Sequence, residues 1–211
     1  MKDLNWTGII SNNAMEEKVE SSIDAAGGDD RNVVSTIGNR IYFYSEVTRP
    51  KILELNRSIA KLANQFKTSS DLLGNTPAPI KLHINSYGGA VFAGFAAVDY
   101  IRNSKVPVVS IIDGCAASAA TIMSVTAQER LMHENSFMLI HQLSSMMWGK
   151  YAELKDDMQN NDMLMEKIKG IYEEHTKIPK KELSKLLSHD LWWDAKKCLQ
   201  YGMIDDIVSP H

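Results

Sequence analysis

The sequence predicts an α/β fold built on a largely parallel sheet, from three observations. From residue 80 onward, short apolar runs rich in β-formers alternate with helical patterns. The run "VPVVSII" is apolar without alternation, as a strand covered on both faces must be. The C-terminal third carries a long, charged amphipathic helix, about 149–176, of a kind that projects from a domain and buries its stripe against another subunit.

The elements follow in order. Residues 1–31 are mixed in character and end in the glycine-acid stretch "AAGGDDR"; they read as an N-terminal arm, flexible or removed by processing. The domain proper is expected over 32–211. "NVVSTI" and "RIYFYS", separated by "GN", predict a hairpin or a bent strand pair. "EVTRPKILELNRSIAKLANQF" predicts a helix. Pro50 sits near its start, and Ile52, Leu55, Ile59, Leu62, Ala63 and Phe66 form one stripe. "KTSSDLLGNTPAP" reads as a polar connector. Then come strand "IKLHIN", turn "SYGGA", helix "VFAGFAAVDYIRNS", strand "VPVVSIID", helix "GCAASAATIMSVTA", and one or two strands in "RLMHENSFMLIH". Strand–helix–strand units of this length imply right-handed crossovers. After the long helix, "PKKELSKLLSH" is a shorter one opened by Pro179 and "DLWW" an extended turn. "DAKKCLQYG" is a last helix capped by Asp194, and "MIDDIVS" a final strand.

Composition narrows the function classes. The 211 residues are 44% hydrophobic and 23% charged, with a net charge of -3, so no global basic field argues for nucleic acid or an anionic membrane. Two cysteines far apart read as reduced thiols in a cytoplasmic protein. The six histidines are scattered, with no CxxC or HxxxH spacing, so no metal site is expected. No window offers the ~20 apolar residues of a membrane span, and residues 1–22 lack the apolar stretch of a signal peptide.

Chemistry can be sought at Ser118, in "DGCAASAAT". A serine among alanines is also what a tightly packed turn uses. Yet this one directly follows a buried strand, near the carboxyl end where open α/β sheets place their sites. A helix N-terminus beside it would offer free N–H groups to a developing oxyanion. His141 ends the strand "SFMLIH" and is the best-placed base; His83 lies inside a strand, and His133, His175 and His189 lie in polar surroundings. A base wants an acid to set its tautomer. Asp113, Asp190, Asp194, Asp205 and Asp206 are candidates, and spacing does not choose among them. "NSYGGA" is a poor phosphate cradle but a reasonable source of an N–H aimed at a peptide carbonyl.

Four stretches, in order, resemble the proteolytic subunit of the Clp protease family of serine peptidases: "INSYGGAVFAG", "DGCAASAAT", "NSFMLIHQ" and "HDLWWDAKKCLQYGMIDDI". The resemblance covers about residues 32–208. It implies a crotonase-like βαβ superhelix, with Ser118 as nucleophile, His141 as base and Asp190 as acid. It further implies oxyanion donors at the N–H groups of Gly89 and Ala119, and no metal or cofactor. The implied partners are polypeptide substrates, further copies of the chain in two stacked heptameric rings, and a separate AAA+ unfoldase ATPase. Two departures stand out: Tyr87 replaces a proline before the glycine pair, and Leu143 replaces the proline after the His–Gln pair. Alternatives are a phage-type head-maturation protease of the same family, an acyl-CoA-handling enzyme of the same superfold, and a catalytically silent ring subunit.

Overall fold

The computed structural model describes residues 33–208; the N-terminal arm expected at 1–31 lies outside them. Strands β1 (Val33–Ile37) and β2 (Arg40–Tyr44) form an antiparallel hairpin about Gly38 and Asn39. Helix α1 (Arg49–Leu73) follows, its N-cap Thr48 accepting from Lys51 N–H and its end marked by Gly74 in the left-handed region. The next elements are β3 (Ile80–Ser86), α2 (Val91–Arg102), β4 (Val108–Ala117), α3 (Ala119–Val125), β5 (Glu129–His133) and β6 (Phe137–Leu139). The chain closes with α4 (Tyr151–His175), α5 (Lys180–Leu187), β7 (Trp192–Asp194), α6 (Ala195–Gln200) and β8 (Asp206–Val208).

The main sheet runs β1-β2-β3-β4-β5-β8 and is parallel from β2 onward. Strand β3 alternates between buried and half-buried positions, as one covered face requires. Val108 to Ile112 are buried without interruption, so the first half of β4 is covered on both faces. One core joins Ile41, Phe43, Leu82, Ile84 and Ile112 of the sheet to Leu55 and Ile59 of α1, Ala97 of α2 and Ile122 of α3. Burying such side chains contributes roughly 1.5–3 kcal/mol each.

Three stretches differ from expectation. The "connector" after Phe66 begins as helix: α1 continues through Leu73, since nothing before Gly74 breaks it. Ser70 Oγ bonds back to Lys67 O at 2.9 Å, and Lys67 pairs with Asp71 one turn on. "GCAASAAT" also begins as strand rather than helix, because Cys115, Ala116 and Ala117 find a partner in β6. The same strand gives "DLWW" its form: Trp192 and Trp193 are not a turn but part of β7, antiparallel to β6.

Strand β4 therefore changes neighbours along its length. Val109–Ile112 pair with β5, and Cys115–Ala117 pair with β6. Between them stands Gly114 at φ +78°, a conformation open to glycine. The sheet forks there, and the fork carries the candidate site.

Candidate active site

Ser118 occupies the single residue between β4 and α3, at φ 55°, ψ -125°. Among the described residues it is the one non-glycine with positive φ. Such backbone costs of order 1–3 kcal/mol and persists where its surroundings over-determine it. Here they do. Ser118 N–H donates to Leu139 O at 2.9 Å, and Ser118 O accepts from Thr121 N–H at 3.0 Å and from Thr121 Oγ1 at 2.6 Å. Thr121 Oγ1 also meets the hydroxyl of buried Tyr172 at 2.6 Å. The Ser118 hydroxyl, by contrast, is buried and has no hydrogen-bond partner among the described residues. A strained serine at a strand-to-helix turn with an uncommitted hydroxyl has the form of a nucleophile elbow.

The registers bring the next two candidates to it. In the parallel pair β4/β6, Ala117 faces Leu139; in the antiparallel pair β6/β7, Leu139 faces Trp192. Continuing the second register by two residues sets His141 opposite Asp190. His141 Nδ1 lies 3.5 Å from Asp190 Oδ1. The imidazole is 4% exposed and the carboxylate 45%. Gln142 N–H donates to Leu187 O at 2.7 Å, tying the chain after His141 to the end of α5, just before Asp190. Burial lowers the His141 pKa below 6.5, and the Asp190 carboxylate pulls the other way. The imidazole is thus held neutral near pH 7, able to accept a proton.

The glycine pair closes the third side. Gly88 has φ +98°, and a Cβ there would stand 2.7 Å from Ala117 O and from Ser118 Cβ. Gly89 has φ +146°, with a Cβ position 2.6 Å from Val47 O. Both must be glycine, because backbone passes too close for a side chain. Val47 N–H bonds Gly88 O at 2.7 Å and Ala90 N–H bonds Val47 O at 2.8 Å. In a parallel bridge of this kind, Gly89's own N–H points away from Val47. Ala119, first residue of α3, has an N–H beyond reach of any intrahelical acceptor. Sequence reasoning missed Ser86, whose Oγ accepts from Gly88 N–H at 3.1 Å and braces the turn; its signal was a serine two residues before a glycine.

The other candidates lie elsewhere. Asp113 accepts from Tyr44 OH at 2.8 Å and lies 2.8 Å from His83 Nδ1 and 3.2 Å from His133 Nε2, a cluster before the fork. Asp194 caps α6 through Lys197 N–H at 2.8 Å. Asp205 binds Arg130, whose guanidinium holds that carboxyl below the usual range. Among the described residues no group of histidine, cysteine and acid side chains is arranged to hold a metal ion, and no helix is long and apolar enough to cross a membrane. Leu143 has an N–H that a proline would lack, and it meets Met165 Sδ at 3.0 Å.

A serine at a helix head after a sheet strand, with a histidine just past the end of β6 and an acid just before β7, is an arrangement that α/β hydrolytic architectures also use. The chain superposes on a point mutant of ClpP1 from Listeria monocytogenes with a TM-score of 0.68 at 24% identity, over 82% of this chain and 92% of that one, which establishes the fold. The Clp protease family model matches residues 38–211. An ATP-dependent Clp protease proteolytic subunit 2 of Treponema denticola is 34% identical over 77% of this chain and 82% of its own. An ATP-dependent Clp protease proteolytic subunit of Deinococcus radiodurans is 29% identical over 82% and 87%. The chain belongs to the Clp protease family, a family of serine endopeptidases.

Proposed function

We propose that the protein is a serine endopeptidase in which Ser118, His141 and Asp190 act together on peptide bonds of unfolded chains. The observation that supports it most is Ser118: strained, buried, its hydroxyl uncommitted, at the head of α3. In this reading His141 Nδ1–H is turned toward Asp190, which leaves Nε2 to take the Ser118 proton as Oγ attacks the carbonyl carbon. The oxyanion then draws the N–H groups of Gly89 and Ala119, each worth about 3 kcal/mol in comparable sites. The tetrahedral intermediate collapses as His141 returns the proton to the leaving amine. Water, deprotonated by the same imidazole, releases the acyl group. No metal or cofactor is needed for any of these steps.

Residues 32–211 are read as one protease domain. It assembles with further copies of itself into stacked heptameric rings around a chamber, fed by an AAA+ ATPase. Supporting this are the names of its relatives as subunits of an ATP-dependent protease and the apolar side chains on α4 and the segment before it: Met146, Trp148, Tyr151, Met158 and Met163 are all exposed. Cys115 and Cys198 are free thiols, in keeping with a cytoplasmic location. A fluorophosphonate probe tests the chemistry. Wild type is expected to label and to cleave peptides, Ser118→Ala to do neither, and His141→Ala to assemble without cleaving. Rings that never label or cleave would favour a silent assembly subunit instead.

A further inference from the structure

Strand β4 leaves β5 after Ile112 and joins β6 at Cys115, and neither Asp113 nor Gly114 faces a residue of either strand. The opposing segment takes a longer path. His133, Glu134, Asn135 and Ser136 stand between Met132, which faces Ile112, and Phe137, which faces Cys115. The ladder is interrupted there, and buried backbone groups at an interruption need other partners. One side chain supplies them. Ser136 Oγ accepts from Gly114 N–H at 2.8 Å and donates to Ile112 O at 2.9 Å, so a single hydroxyl bridges the two sides of Asp113. Ser136 is 1% exposed, and its own N–H donates to His133 O at 3.0 Å, closing the turn between β5 and β6.

That turn sets where β6 begins along β4. With Ser136 fixed at Gly114, Phe137 comes opposite Cys115, Met138 opposite Ala116 and Leu139 opposite Ala117. The register then runs into the candidate site on both strands. Ser118 follows Ala117 and gives its N–H to Leu139 O at 2.9 Å, while His141 stands two residues beyond Leu139. The β4/β6 pairing is only these three residues long, so few backbone bonds resist a shift and a side-chain bond at its start carries more of the register. A second contact holds the same turn. His133 Nε2 lies 3.2 Å from Asp113 Oδ1, and Asp113 is itself tied to β2 by Tyr44 OH, at 2.8 Å.

We propose that Ser136 is a positioning residue for the reaction: by pinning the β5–β6 turn to β4, it holds His141 where it can take the Ser118 proton. The role rests on the serine-peptidase reading above and extends it to a buried residue outside the three acting groups. Losing the hydroxyl lets β6 drift against β4. A misplacement of about 1 Å between reacting groups costs about 10²-fold in rate. The loss falls on kcat rather than KM, because the displaced groups act on one another during the chemical step.

The test compares the full-length wild type with Ser136→Ala and Ser110→Ala. Ser110 is a matched comparator: it is wholly buried on the first half of β4, and its Oγ donates to Ser124 O at 3.1 Å, away from the exchange of strands. Peptide hydrolysis and fluorophosphonate labelling of Ser118 are measured per folded molecule, with the folded fraction taken from urea unfolding. Ser136→Ala is expected to lower kcat and the labelling rate by roughly 10- to 100-fold with KM within about twofold, whereas Ser110→Ala loses stability and keeps its kcat. Ser136→Cys keeps the volume and a weak S–H donor, and is expected between wild type and Ser136→Ala. Should the alanine variant fail to fold, the cysteine variant carries the test with a loss of about tenfold. Wild-type kcat in the folded Ser136 variants overturns the positioning role, as do equal losses in Ser136→Ala and Ser110→Ala or a loss confined to KM. A wild type that neither labels nor cleaves overturns the peptidase reading and takes the positioning role with it.

Discussion

Ser118 holds its backbone in a region that a Cβ disfavours, and alanine there would hold the same strain. Ser118→Gly releases it, at the cost of about 0.4–1 kcal/mol through the greater freedom of the unfolded chain. The glycine variant should be more stable than Ser118→Ala by roughly 1 kcal/mol, or about 2–4 °C in Tm by scanning calorimetry. Equal melting would show that the turn carries no strain. His141 sets a second expectation. Burial lowers its pKa, so kcat/KM should rise with pH along a limb centred below 6.5. The Asp190 carboxylate raises that pKa. Asp190→Asn therefore moves the limb further toward acid while lowering kcat about 10⁴-fold. A limb that moves toward alkaline pH would remove Asp190 from contact with the base. Ser118 and His141 were legible in the sequence as residues following apolar strands. Ser118's missing partner and positive φ were not, since both arise from where Leu139, Thr121 and Gly88 lie in space.

Between α3 and α4 the link is a hydrogen-bonded chain: Tyr172 OH to Thr121 Oγ1, and Thr121 Oγ1 to Ser118 O. Tyr172 is wholly buried, and its phenol is pushed above its ordinary range, so it stays protonated and available as a donor. Tyr172→Phe removes one donor and should cost about 1 kcal/mol. Thr121→Val leaves the Tyr172 hydroxyl buried without its partner and removes one of the two hydrogen bonds to the Ser118 carbonyl, so about 2 kcal/mol is expected. Urea unfolding of the two variants checks the order; a costlier Tyr172→Phe would contradict it. Neither residue announced itself in the sequence, because they are 51 positions apart and only helix packing joins them. Element boundaries failed for the same kind of reason. Cys115–Ala117 and Trp192–Asp194 are strands because β6 lies between them, and the local propensity of those two segments holds no record of which strand they pair with.

Over the whole molecule, α4 divides into two parts. Ile168, Ile171 and Tyr172 are buried in the core, whereas Tyr151, Met158 and Met163 on its first half are exposed. An apolar stretch left open on a long helix invites a second copy of the chain. Met158→Glu combined with Met163→Glu should shift sedimentation velocity from assemblies toward smaller species, without lowering the melting temperature of the subunit. An unchanged profile would place the contacts elsewhere.

The sequence by itself determined the α/β class, the parallel sheet, the long helix and the four stretches that carry the family resemblance, because periodicity and short motifs are local properties. It offered five aspartates for one role and read one of them, Asp194, as a helix cap, which it is. Only the tertiary structure decided where the other four go: Asp113 to Tyr44, His83 and His133, Asp205 to Arg130, Asp206 to the head of β8 and the N–H of Ile207, and Asp190 to a place 3.5 Å from His141. The physical reason is the fork at Gly114, where β4 exchanges one partner strand for another. Strand partnership is settled by burial and backbone pairing across the whole chain, and residues 118, 141 and 190 become neighbours only once that exchange is made.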